Sequence, residues 1–113
     1  MFPYKERKWI WRGHRINYAV AGPGYGTPVV LIHGFGGNVG HYRKLIARLA
    51  DEGHYRVYAI DLLGFGASDK PRKLKYTPSV WKDQVLDFIE TFCAEPCVLV
   101  GNSIGSQVRS PRS

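Results

Sequence analysis

Residues 101–105 read Gly-Asn-Ser-Ile-Gly, a G-x-S-x-G pentapeptide directly after the apolar run "CVLV". A serine leaving a strand, with glycine two residues away on each side, suits a tight bend that lifts its hydroxyl clear of a sheet. Once its proton is removed, such a hydroxyl attacks a carbonyl carbon, which makes Ser103 the candidate nucleophile and Gly101 and Gly105 the residues that let the backbone pass. The competing reading is an ordinary turn with an idle serine; the position after a third strand favours the nucleophile. A second stretch, His33-Gly34-Phe35-Gly36-Gly37, ends the run "VVLI". Acyl transfer needs two backbone N–H groups aimed at the developing oxyanion. Phe35 and Ile104 are placed to supply them, with Gly34, Gly36 and Gly37 giving the loop its freedom. His33 invites assignment as the general base, but a histidine at the end of a buried strand is better read as an organiser of the loop.

The third stretch, "DLLGFGASDKP" from residue 61, holds Asp61 and Asp69. Both precede the serine, and turn or capping duties explain them without catalysis. Rival chemistries fail on register. Counting a G-x-G-x-x-G pattern from Gly22, the third glycine position falls on Thr27, and from Gly34 it falls on Val39, so no dinucleotide loop is completed. No G-x-x-x-x-G-K-[ST] phosphate loop is present either, and no cofactor is expected. Cys93 and Cys97 lie four apart without a second pair, which supports neither a zinc site nor a disulfide framework. They read as buried thiols in a reducing compartment, and no metal ligands are assigned.

The elements that must position these residues follow from periodicity. "KWIWRGHRINYAV" alternates large apolar residues on either side of Arg12-Gly13-His14, as expected of an antiparallel hairpin. "VVLIH" (29–33), "YRVYAID" (55–61) and "CVLVG" (97–101) are read as strands, the first and last as buried runs without polar alternation. Tyr42, Leu45, Ile46 and Leu49 fall at helical spacing, with Asn38 available as a cap and Gly53 past the end. Thr77-Pro78 opens a second helix whose Trp81, Val85, Phe88, Ile89 and Phe92 make one face, and Pro96 stops it. The order hairpin, strand, helix, strand, helix, strand predicts an α/β fold with three parallel strands and crossover helices.

At 113 residues and 44% hydrophobic content the chain is the size of one domain with a packed core. Its 16 Lys and Arg against 9 Asp and Glu give +7, a balance that suits a polyanion such as nucleic acid or an anionic membrane surface, but the basic residues are spread out without a nucleic-acid motif, and the charge reads as a solvated face. The start, "MFPYKERKWIW", has no apolar signal region, and no run is long enough to span a bilayer, so a soluble, unsecreted, cytoplasmic protein is expected.

Together, "VVLIHGFGGN", "YRVYAIDLLGFGASDKP" and "VLVGNSIGS", in that order, resemble the N-terminal part of the α/β-hydrolase superfamily. Within it they are most similar to a group that includes pheophytinase-like hydrolases, C-C bond hydrolases and epoxide hydrolases. The resemblance covers residues 9 to 107 and makes 1–108 the N-terminal part of a hydrolase domain, with 109–113 a tail outside it. It implies a serine-type hydrolase with Ser103 as nucleophile and Phe35 and Ile104 lining the oxyanion hole, acting on a small-molecule ester or related carbonyl compound. It also makes a plastid an alternative compartment. In that superfamily an acid and then a histidine follow the serine along the chain. Downstream of Ser103 stand only "IGSQVRSPRS", which hold neither. The expectation is therefore an incomplete sheet, truncated just after the elbow and inactive alone, with "CVLV" left as an apolar free edge that another protein could join.

Overall fold

A computed structural model describes residues 5–32, 42–93 and 96–101. Strand β1 (Lys5–Trp11) and β2 (His14–Ala21) form the expected hairpin, with Trp11 opposite His14 across a two-residue turn. Arg12 (φ 50°) and Gly13 (φ 81°) both take positive φ, the condition for a turn whose twist matches that of the strands it joins. Arg12 tolerates this conformation while its guanidinium sits 4.5 Å from the centre of the Trp11 ring and 3.3 Å from Asp83.

The chain continues through β3 (Pro28–Ile32), α1 (Arg43–Asp51), β4 (Arg56–Ile60), α2 (Pro78–Phe92) and β5 (Val98–Gly101). The five strands form one sheet in the order β1-β2-β4-β3-β5. β2 runs antiparallel to β4, whereas β3 is parallel to both β4 and β5. β3 is buried at every position and β4 at all but its first, as strands covered on both faces should be.

The two faces are packed differently. Ala19, Ala21 and Ala59 pave one face between Val29, Leu31 and Val57, and α1 lays Ile46 and Ala50 on that low surface. The other face carries Ile16, Tyr18, Val30, Ile32, Tyr58 and Ile60, against which α2 packs Trp81, Val85, Phe88 and Ile89. Its middle is aromatic: Phe88 lies edge-on to Trp9, Tyr18 and Tyr58 with ring centres 5.4, 5.3 and 5.5 Å away. Edge-to-face pairs at these separations add to the burial of the rings themselves.

Two expectations need correction. The stripe expected of α1 holds at Tyr42, Ile46 and Leu49 but not at Leu45, which is 37% exposed, and it gains Ala50, which is buried. A nine-residue helix resting on alanines contacts the sheet along a narrow line, and Ile46 with Ala50, four apart, is that line. The last strand is not buried either. Leu99 packs partly against the aromatic face, but Val98 and Val100 point to the α1 side and are 48% and 36% exposed. Among the described residues β5 pairs with β3 alone and so stands at the edge of the sheet.

Candidate active site

Parallel strands β3 and β5 are neighbours, and their register pairs Ile32 with Gly101. These are the last strand residues before "HGFGG" and "NSIGS". Adjacent strands lie about 4.8 Å apart, so both chemistry-bearing stretches leave the sheet side by side at one end. Of the sequence-predicted site residues, Gly101 lies at the end of β5. Ser103, Ile104 and Gly105, with His33, Gly34, Phe35, Gly36, Gly37 and Asn38, lie outside the described residues, as does the tail 109–113.

What holds this end of the sheet is visible in the flanking residues. The Tyr42 hydroxyl donates to the Ile32 carbonyl at 2.6 Å, joining the residue before α1 to the last residue of β3. Both ends of the 33–41 stretch are thereby fixed to one another. Burial pushes the Tyr42 phenol above its ordinary pKa, keeping it a donor through neutral pH.

Next to β3, the turn after β4 is locked to β2. Asp61 Oδ2 accepts from Asn17 Nδ2 at 2.9 Å and from the Ala67 N–H at 3.0 Å, while Ser68 Oγ donates to the Asp61 carbonyl at 2.6 Å. Ser68 Oγ in turn accepts from the Asn17 N–H at 2.8 Å. Asp69 Oδ2 accepts from the Arg15 N–H at 2.8 Å. Gly66 is needed here: its φ is +54°, and a Cβ at this position would collide with the Asp61 carboxyl group. Both aspartates thus serve as turn acceptors. Beneath the same turn, Gln84 Oε1 accepts from the Leu63 N–H and Trp81 Nε1 donates to the Leu63 carbonyl, each at 2.9 Å.

Sequence reasoning overlooked Asn17, Ser68, Tyr42 and Gln84. Asn17 and Gln84 carried a usable signal, since each interrupts an otherwise apolar buried face. Buried amides usually find partners: Asn17 uses both ends of its side chain, and Gln84 uses its Oε1.

Comparison with known proteins decides the family. Residues 27–108 match the family model for the alpha/beta hydrolase fold. The chain belongs to the α/β-hydrolase family. It is 35% identical over 109 residues to a 2-hydroxymuconate semialdehyde hydrolase from Pseudomonas sp. (strain CF600), covering 94% of this chain and 37% of that protein. It is 33% identical over 97 residues to Lipase 1 of Psychrobacter immobilis, covering 85% and 30% respectively. Among solved structures, a serine hydrolase involved in carbazole degradation superposes with a TM-score of 0.78 at 40% identity, covering 91% of this chain and 40% of that one. The α/β-hydrolase chain described here therefore spans about a third of the length of these relatives. They are hydrolases, and the incomplete five-stranded mixed sheet is consistent with the family's fold.

Proposed function

We propose that this α/β-hydrolase chain carries the nucleophile half of a serine-type hydrolase that works through an acyl-enzyme on a carboxylic ester or related carbonyl compound. The supporting observation is the pairing of Ile32 with Gly101, which starts the "HGFGG" and "NSIGS" stretches from adjacent strands. In this reading Ser103 Oγ bonds to the carbonyl carbon, and the Phe35 and Ile104 N–H groups receive the oxyanion. Collapse of that intermediate breaks the bond to the leaving alcohol, and water then releases the acid. The 40% identity to a protein described as a serine hydrolase supports this choice of nucleophile.

The proton on Ser103 Oγ must go to a base. The 113 residues contain no Asp, Glu or His after Ser103. In this chain alone the hydroxyl keeps its proton and its poor nucleophilicity. Purified protein is expected to give no more than trace cleavage of a short-chain nitrophenyl ester. A chimera joining residues 1–107 to the remainder of the carbazole-pathway serine hydrolase is expected to cleave it with phosphonate sensitivity. Ser103→Ala in that chimera should lower kcat by about 10⁴-fold or more. A folded chimera whose turnover survives the substitution would sink the assignment.

A second reading is favoured by the exposure of Val98 and Val100: a non-catalytic role in which another protein joins the sheet at β5. It predicts a defined hetero-oligomer in size-exclusion chromatography, and a polydisperse aggregate counts against it.

A further inference from the structure

The segment after β4 carries charge that the proposed chemistry does not use. Residues 70–82 hold Lys70, Arg72, Lys73, Lys75 and Lys82, five of the chain's 16 Lys and Arg, and none of its nine acids. All five are exposed. The backbone between them is held: the Tyr76 hydroxyl donates to the Pro71 carbonyl at 2.6 Å, the Tyr76 ring stacks on Trp81, and Leu74 packs partly against the core. Apolar side chains are thus turned in and cations out. Lys70 Nζ donates to the Gly66 and Ser68 carbonyls, and Lys8 Nζ reaches the Ala67 carbonyl at 3.3 Å, adding a sixth cation to the same rim. The flanking carboxylates are engaged, Asp69 by the Arg15 N–H and Asp83 by the Arg12 guanidinium.

We propose that this rim docks the chain peripherally onto a surface of anionic lipid headgroups. A bilayer surface asks for several cations on one exposed ridge, each adding a comparable increment, and for no fitted groove. A nucleic acid would need rings on which bases stack or an element that enters a groove. The rings here face inward, Phe65 and Tyr76 lying 5.7 and 6.2 Å from Trp81, so charge is displayed without a reading surface. Among the described residues no helix is long and apolar enough to cross a membrane, and the attachment proposed is electrostatic. Because the segment follows the end of β4, and β4 runs parallel to β3 and β5, docking turns the candidate-site end of the sheet toward the lipid. The proposal does not depend on the acyl-transfer reading.

The test is cosedimentation of the 113-residue chain with vesicles of phosphatidylcholine alone or mixed with phosphatidylserine. Binding is expected only with phosphatidylserine and should vanish between about 0.1 M and about 1 M salt, as the screening length shrinks from about 10 Å to about 3 Å. A variant carrying Arg72→Gln, Lys73→Gln and Lys75→Gln should bind roughly a hundredfold more weakly, about fivefold per cation. A variant with Arg43→Gln, Lys44→Gln and Arg48→Gln removes the same charge from α1, on the other face, and should bind like the parent. The salt titration of the unsubstituted chain is independent of how either variant folds. Equal binding to neutral vesicles, an equal loss in the α1 variant, or salt-sensitive binding to RNA without vesicle binding would each overturn the proposal.

Discussion

The hydroxyl of Tyr42 joins the start of α1 to the end of β3 by donating to the Ile32 carbonyl. Tyr42→Phe keeps the ring and leaves the Ile32 carbonyl without that donor, and is expected to cost about 1–2 kcal/mol, read from the urea midpoint. The phenols of Tyr18, Tyr42 and Tyr58 are all raised, in each case chiefly by burial, with Arg7 opposing the shift at Tyr18 and Arg56 opposing it at Tyr58. A raised phenol holds its proton in the folded state after the unfolded chain has lost it. The folded protein therefore binds more protons above the unfolded value of about 10, so stability is intact below that pH and falls as pH climbs toward and through the folded values. Urea midpoints at about pH 9 and about pH 11 should show the drop, and Tyr42→Phe should make it smaller. That tyrosine was readable in the sequence only as an apolar helix position, because periodicity reports where a ring goes and is silent about its oxygen. Asp61 and Asp69 were readable as turn residues, since glycine and serine around them advertise a tight bend.

Among elements, α2 is the one whose start the chain declares most clearly. Thr77 is extended and its Oγ1 accepts from the Val80 N–H at 3.3 Å, with Pro78 at the first helical position. Thr77→Ala removes that acceptor and is expected to cost about 1 kcal/mol, measured by chemical denaturation. α1 has no side-chain cap bond at Tyr42, so its position rests on Ile46, Ala50 and the tyrosine clamp. This difference explains why one helix was read well and the other only approximately. Thr-Pro at the head of a fifteen-residue helix with a bulky stripe is a strong signal, whereas a short helix whose buried contacts are one isoleucine and one alanine offers little to the eye. β5 shows the converse: its apolar residues read as a buried strand, and only the family resemblance led to the expectation of a free edge, because a strand's own residues do not encode what lies beside it.

On the scale of the whole molecule, β5 is an edge with two outward valines on the α1 side. A free apolar edge templates pairing with another chain. Val98→Lys is expected to lower light scattering and raise the monomer fraction in size-exclusion chromatography, with stability changed by no more than about 0.5 kcal/mol. An unchanged oligomer distribution would show that the edge is not the point of association. The strand order carries a different consequence. β4 lies between β2 and β3, so these two strands, consecutive in the chain, share no ladder with each other. During synthesis neither the inner edge of β2 nor that side of β3 has its partner until residue 60 has emerged. A ribosome that pauses before that point would hold a nascent chain with two unsealed flanks, and those are what a chaperone would meet.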